Sequence, residues 1–595
     1  MKSRKNVTRR ARMGRHWLAA AALAASGGAQ AISFQMFDGS VEGQFDTTLG
    51  YGMQLRTEKY DPNLSRPWPY TGTDLNNIQY GNRRLFDNKW DVFSNLVKAS
   101  HDLQLNGSGW SFFMQGNYFY DFKMAQKKGQ LPDDSENRAI QHGDITAAYF
   151  LTRLGNADQF TLRVGKQVIS WGENTFIGGS LNDINTVDIS KLRQPGVELK
   201  DALVGTQAID LSWQLNSALT AEAFVLLGFD ELKADPYGGF FGTNDAIVDG
   251  GGFANGGTAA FPRCIAPDLG SCGLAGVTRS RDHIPGGVGQ YGVSLRYYAP
   301  NLGNGFDFGL YYENLHDHNP VLSAIAGNAV FAGPPSPATL VSGQVGTFFL
   351  DTAKNVDRYG ASFNTTLGPW ALGGEYSYRR NAPIQGSQFV NVALTGKTAG
   401  PFSRTFAPGS VFEGFERYNR HQIQLTTQRL WGPMPMLLGA DQWNTIGEVA
   451  YGWVGDLPGR DINGHKKHVD PTTYEGGSDF VRFDDVTNNF WGFVARSTLT
   501  YNNILFNRIN MDFNTSLRWD VDGVSPELGG AELFVAGRKQ ASVGVVFDYA
   551  LRWKVGLTQT FIFGGENQYR TGPGRGANVN NTDRDFLSLD VSYTF

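Results

Sequence analysis

The stretch Ile509-Asn510-Met511-Asp512-Phe513-Asn514-Thr515-Ser516-Leu517-Arg518-Trp519 decides the fold class. Ile509, Met511, Phe513, Leu517 and Trp519 fall on one parity, and Asn510, Asp512, Asn514, Ser516 and Arg518 on the other. A period of two over about ten residues is a strand with one apolar and one polar face. The same pattern recurs along the chain. It appears in Val41, Phe45, Leu49, Tyr51, Met53 and Leu55, in Trp110-Phe112-Met114-Tyr118-Tyr120, and in Ile209-Leu211-Trp213-Leu215. Later examples are Trp370-Leu372-Tyr376-Tyr378, Trp491-Phe493-Ala495-Leu499-Tyr501 and Trp553-Val555-Leu557-Phe561-Phe563, where Gln559 interrupts the apolar side. The final one is Leu587-Leu589-Val591-Tyr593-Phe595.

A soluble sandwich also alternates, so strand length and connection length decide. Short connections (Asn106-Gly107-Ser108-Gly109, Gly155-Asn156-Ala157-Asp158, Asn216-Ser217-Ala218, Asn301-Leu302-Gly303-Asn304, Gly368-Pro369) alternate with long ones over roughly 57–88, 123–143, 171–206, 230–288, 315–356, 380–418, 455–488, 520–539 and 564–584. Outer-membrane barrels have short periplasmic turns and longer external loops. The expectation is an all-β, transmembrane antiparallel up-and-down barrel of about 16–18 strands. Two places resist this reading: 89–105, where either parity could face lipid, and 430–441, long for a turn.

Composition agrees. Of 595 residues, 74 are Gly, 13% are aromatic, 18% are charged and two are Cys. Disorder needs high charge and few aromatics, so it is excluded, and collagen fails for want of a Gly-X-Y period. Length alone suggests about four domains at ~150 residues each, but one barrel accommodates it. Nothing outside the N-terminus approaches the ~18 unbroken apolar residues of a membrane helix.

Residues 1–31 read as a cleaved secretory signal, leaving 32–595 as one barrel. Lys2, Arg4, Lys5, Arg9, Arg10, Arg12 and Arg15 precede the apolar run Trp17–Ala25, and Ala29-Gln30-Ala31 supplies the cleavage site. Losing those seven cations leaves 45 basic against 56 acidic residues, a net charge near −11 instead of −4. Such a balance gives no footprint for nucleic acid. In an oxidising compartment Cys264 and Cys272 are expected to form a small loop-closing disulfide.

The connection 171–206, after the fifth strand (Phe160–Ser170), is the natural filler of a wide barrel. In general porins the loop in this position folds inward as a constriction; an external lid, or a structural Trp at the rim, is the plainer reading. If the strand continues, Trp171 and Glu173 share the inward parity of Arg163 and Gln167. Glu375, Arg379, Arg420, Glu448, Arg496, Asp512 and Arg518 are further inward charges, whose mixed signs suit a salt-bridged network better than a selective ring. The apolar connection 315–356 (Val321-Leu322-Ser323-Ala324-Ile325-Ala326, Val330-Phe331-Ala332, Phe348-Phe349-Leu350) either captures a lipophilic solute or packs into the barrel mouth.

Enzyme signatures are absent. His316-x-His318 and His465-x-x-His468 match no zinc-protease spacing and read as solvated loop histidines; no Gly-x-Ser-x-Gly elbow or phosphate loop occurs. No cofactor or metal is expected.

Several segments carry a resemblance. Gly165-Lys166-Gln167-Val168-Ile169-Ser170-Trp171-Gly172-Glu173, Arg358–Gly368 and Gly374–Pro383 are similar to signatures of the proteobacterial family known as domain of unknown function 1302. So are Asp441-Gln442-Trp443, Gly447–Tyr451 and Arg584–Leu589. The resemblance covers essentially the mature chain and implies a barrel in the outer membrane of a Gram-negative bacterium. It also implies partnership with periplasmic lipid-handling proteins and resistance-nodulation-division type transporters, and so a small hydrophobic solute. It supplies no catalytic or ligand residues. Outer-membrane lipids and, through the aromatic terminus Phe595, the barrel-assembly machinery are the remaining expected partners. The alternatives are a plugged barrel whose external loops bind a partner, or an outer-membrane hydrolase.

Overall fold

The computed structural model describes residues 32–61, 85–128, 133–197, 199–236, 239–242, 248, 277–332, 340–386, 389–398, 404–455, 487–527, 533–565 and 581–595. Residues 1–31, expected as a signal segment, and Cys264, Cys272, His465 and His468 lie outside them. Eighteen antiparallel strands close into a barrel. They are β1 (Val41–Arg56), β2 (Val92–Gly107), β3 (Trp110–Asp121), β4 (Gln141–Leu154), β5 (Phe160–Gln167), β6 (Thr206–Gln214), β7 (Leu219–Leu226), β8 (Tyr291–Ala299) and β9 (Phe306–Leu315). The second half comprises β10 (Val356–Leu367), β11 (Trp370–Gln385), β12 (Phe415–Leu430), β13 (Gln442–Val454), β14 (Asn489–Leu505), β15 (Ile509–Asp522), β16 (Lys539–Tyr549), β17 (Trp553–Phe563) and β18 (Phe586–Thr594).

Each strand pairs with its sequence neighbour, and β18 returns to β1 over the register Thr48↔Thr594 to Arg56↔Phe586. Closure leaves no open edge among the wall strands. The rest of the β1 edge, Val41–Phe45, is taken by a short leading strand, Ile32–Met36. Phe595 fills the junction: its N–H donates to the Thr47 carbonyl (2.9 Å), and Thr47 N–H donates to the Phe595 carbonyl (2.7 Å).

Register settles which parity faces where. Ile209, Leu211 and Trp213 point outward and are exposed, as are Val293, Leu295, Ile423 and Leu425. The inward parity carries Asp210, Ser294, Gln422, Gln424 and Glu448, all buried. In β2, ambiguous in sequence, pairing of Gly50 with Lys98 and Gln54 with Ser94 places the even residues inside. His101 is therefore an outward histidine, satisfied by Thr47 Oγ1 at 2.9 Å and Tyr118 Oη at 3.3 Å. Of the doubtful segment 430–441, Leu430 ends β12 and the rest is a turn pinned by Met434 N–H to the Ala440 carbonyl.

The end with long connections carries two small cores. One joins Val277, Leu322, Ala324, Phe348, Leu350, Val392 and Phe412. It is built by a four-stranded sheet (Thr278–Arg279, Thr347–Asp351, Val321–Ile325, Val411–Phe412) and the helix Phe389–Thr395. Two of the three apolar runs of 315–356 are thus consumed internally, with Val321, Leu322, Phe348, Phe349 and Leu350 no more than 4% exposed, whereas Val330 and Val341 stay exposed. The second core, on the β1–β3 side, gathers Phe86, Phe93, Met124, Ile140, Phe240 and Phe241. Beneath it the fully buried Arg56 binds Asp583 (2.9 Å) and the Phe86 carbonyl (3.0 Å).

Two expectations need correction. Strand β5 ends at Gln167 rather than running on through Ser170: its pairing with β6 stops at Gln167↔Thr206, and the Ile169 backbone bonds to the Asn185 side chain instead of a neighbouring strand. His316 and His318 are buried rather than solvated. The His318 ring stacks on Phe229, with its nitrogens against the carbonyls of Asp230 (2.7 Å) and Ile184 (3.1 Å).

Candidate functional site: a segment held across the lumen

After β5 the chain leaves the wall and runs along the inward faces of other strands before rejoining the barrel at β6. Its neck is closed by one side chain. Asn185 Nδ2 donates to the Ile169 carbonyl (2.6 Å), and Ile169 N–H donates to Asn185 Oδ1 (3.2 Å), so an amide side chain replaces a strand pair. Trp171 then packs with Ile169, Leu181, Ile184, Phe224, Leu226 and Tyr311 in a buried cluster against β7 and β9. It lies 3% exposed and is a structural anchor rather than a lining residue.

The five backbone N–H groups from Glu173 to Ile177 would be orphaned inside a barrel, and an unpaired buried donor is costly. Two wall carboxylates collect them. Glu375 on β11 accepts from the N–H groups of Glu173 (2.5 Å) and Asn174 (3.2 Å). Glu448 on β13 accepts from Thr175 (2.5 Å), Phe176 (3.1 Å) and Ile177 (2.5 Å). Thr426 Oγ1 also donates to Glu448 (2.9 Å). Gln424 and Gln422 then donate to the carbonyls of Ile177 (2.5 Å) and Gly178 (2.9 Å). Gly172 explains why the motif reads Trp-Gly-Glu: its φ is +83°, and a Cβ there would lie 2.3 Å from the Glu375 carboxylate.

Asp183 forms the next fastening. Its carboxylate pairs with Arg379 at 2.5 Å, and its carbonyl accepts from Arg358 (3.2 Å). Burial alone would raise the Asp183 carboxyl, but Arg379 and Arg358 outweigh it and hold the group below the ordinary aspartate value. The segment then turns back across the lumen to β1–β3. Gln54 Nε2 donates to the Arg193 carbonyl (2.9 Å), Lys98 Nζ to the Gly196 carbonyl (2.5 Å) and Asn117 Nδ2 to the Asp201 carbonyl (3.3 Å). Between this return limb and the wall lies a gap of about 50 Å³ with a mixed lining, in which Lys98, Asn117, Lys191 and Asp201 stand beside Phe119 and Val197.

The remaining residues singled out from sequence fall into place around this segment. Arg163 pairs with Asp210 (2.9 Å). Gln167 is fully buried and donates to the Ala208 carbonyl (3.0 Å). The Glu173 side chain accepts from Asn364 (2.8 Å) and lies 3.7 Å from Arg296; burial pushes its carboxyl up, while those two partners oppose the shift. Arg420 pairs with Glu527 and covers the Phe490 ring at 5.3 Å. Arg496 stacks over Phe176 (4.3 Å), Asp512 accepts from Thr500 (2.7 Å), and Arg518 pairs with Asp520 (3.1 Å). Sequence reading missed Arg358, Gln422, Gln424, Asp183 and Asn185. The first three share the inward parity of their strands, a signal that was available; the last two act from a non-repetitive segment.

Fold and site together define a class: a closed antiparallel barrel with a polar interior, crossed by a chain segment bonded to its inner wall. The chain belongs to the family described as "Protein of unknown function (DUF1302)", whose model matches residues 12–595. No curated protein sequence matches it. Solved structures similar to it include Acinetobacter baumannii OccAB1, with 8% identity, 96% of this chain and 99% of that chain covered, and a TM-score of 0.41. Pseudomonas aeruginosa OpdK with vanillate shares 8% identity over 93% of this chain and 98% of its own, with a TM-score of 0.39. P. aeruginosa OccK2 (OpdF) in complex with glucuronate shares 10% identity, with the same coverages and a TM-score of 0.38.

Proposed function

We propose that the chain is an outer-membrane conduit for a small solute, working without chemistry of its own, in which residues 168–205 form the constriction. The outward parity of the closed wall is apolar and exposed, and the inward parity is polar. That combination suits a barrel with hydrocarbon outside and an aqueous path inside. The carrying observation is that the crossing segment is bonded to the inner wall on both sides. Its first limb is fastened to β11–β13 by Glu375, Glu448, Gln422, Gln424 and Arg379, and its return limb to β1–β3 by Gln54, Lys98 and Asn117, which leaves one gap beside Lys98, Asn117 and Asp201. The path runs through that gap and widens when the return limb shifts. In this reading Arg163, Glu173 and Arg296 line the approach, while Trp171, Glu375, Arg379 and Glu448 position the constriction.

The charged groups at the gap, Lys98, Lys191 and Asp201, support a small polar solute, within a lining that also carries Phe119 and Val197. A hydrophobic solute is the second reading; it draws on the family resemblance, since the apolar side chains of 321–325 and 347–351 are buried in the cap. Liposome swelling with the purified protein separates them. A conduit with this lining admits small polar solutes and excludes lipophilic ones. Absence of swelling with every polar solute tried contradicts it and favours a barrel plugged for partner binding.

A further inference from the structure

On the outside of the barrel, near its turn end, the wall is indented. Outward-facing residues in two adjacent cross-strand rows are small. Thr427, Gly447 and Ala495 pair in one, and Thr445, Ser497 and Thr515 in the other. The depression holds about 410 Å³, within the roughly 300–1,000 Å³ of small-molecule sites. Trp431 and Trp443 stack along its turn-side edge (4.9 Å) and donate their indole N–H groups to Thr445 and Ser497 (2.9 and 2.8 Å). The edge is therefore rigid, and those two hydroxyls are already engaged.

Arg429 stands at the end of the second row, beside Thr445 and opposite Trp370. Its guanidinium lies 3.5 Å from the Trp431 ring centre and 5.1 Å from that of Trp370. Its Nε is buried without a hydrogen-bond partner, and among the described residues no carboxylate pairs with it. An outward arginine at the level of the strand ends, oriented by two indoles and lacking an anion, is a cation prepared for a ligand. At that depth outside a membrane barrel the available anion is a phospholipid phosphodiester, which a guanidinium fork matches geometrically.

We propose that this indentation binds one phospholipid, its phosphodiester on Arg429 and the first carbons of its chains over Gly447 and Ala495. The site is on the outer wall and separate from the lumen, but it rests on the reading of the barrel as membrane-spanning. The test is lipid retention by the purified, detergent-solubilised barrel in native mass spectrometry, with phosphatidylglycerol and phosphatidylethanolamine as probes. Wild type is expected to hold one phospholipid, and Arg429→Gln to lose about tenfold in affinity, the scale of one charge-assisted bond. Gly447→Leu fills the indentation while keeping the arginine, and the position tolerates a Cβ, whose nearest neighbours would stand at an ordinary contact distance of 3.9 Å. It is expected to displace the lipid without unfolding the barrel, checked by heat-modifiable gel migration. Equal retention by all three proteins, displacement by inorganic phosphate alone, or a second protein copy in place of the lipid overturns the proposal. Fractionation distinguishes the two failures: a barrel outside the outer membrane sinks the conduit reading, whereas a correctly placed barrel without a bound lipid sinks only this site.

Discussion

Glu448 receives three backbone N–H groups and a threonine hydroxyl, so its charge is the largest single fastening of the crossing segment. Charge-assisted bonds contribute about 1.5–3 kcal/mol each when one partner is removed. Glu448→Gln should therefore weaken attachment of the segment by about 2 kcal/mol or more. Limited proteolysis should then cut within 171–185 in the variant at protease levels that spare wild type. Gly172→Ala should do the same by another route, because its φ of +83° and the nearby Glu375 carboxylate leave no room for a Cβ. The acceptor role of Glu448 was not legible in sequence. Inward parity was, but alternation says only that a carboxylate faces the lumen, and nothing local states that a segment 270 residues earlier supplies its donors.

At the scale of elements, the crossing segment and the cap behave as separate additions to one wall. Asp183 couples the segment to pH. Its carboxyl is held below the ordinary value, so its stabilisation is complete above the unfolded value of ~3.9 and is lost as pH falls through the lower folded value. Asp183→Asn should remove this share of the protection of 171–185 at neutral pH, and the difference from wild type should persist down to about pH 4 and vanish only below it; a difference that vanishes nearer pH 6 would contradict the assignment. In the cap, Phe348 is fully buried among Leu322, Phe389 and Phe412. Phe348→Ala should cost the cap about 3–5 kcal/mol and expose its connections to protease, while heat-modifiable migration of the barrel stays unchanged. Element positions were largely readable from sequence: the alternation in β11, β15 and β18 and the short turns between strands gave the hairpins. The end of β5 was not, because Val168-Ile169-Ser170-Trp171 holds no Gly or Pro and is rich in strand-forming residues, so it reads as more strand after the chain has left the wall.

For the whole molecule, closure of β18 on β1 turns a sequence of modest mean hydropathy into a surface that is apolar outside and polar inside. The strand count follows from that closure and fell within the range alternation allowed. How the lumen is filled depends on contacts between residues hundreds of positions apart, such as Asn174 with Glu375 and Gln54 with Arg193, which no local period encodes. The constriction reading makes one demand on the complete barrel: loosening the fastened limb must change passage through the lumen without disturbing the wall. Single-channel recording in planar bilayers of wild type beside Glu375→Gln/Glu448→Gln tests this most directly. The expected result is longer or larger open steps in the double variant, with both proteins equally heat-modifiable. Identical recordings from two equally folded barrels would contradict the assignment of residues 168–205 as the constriction.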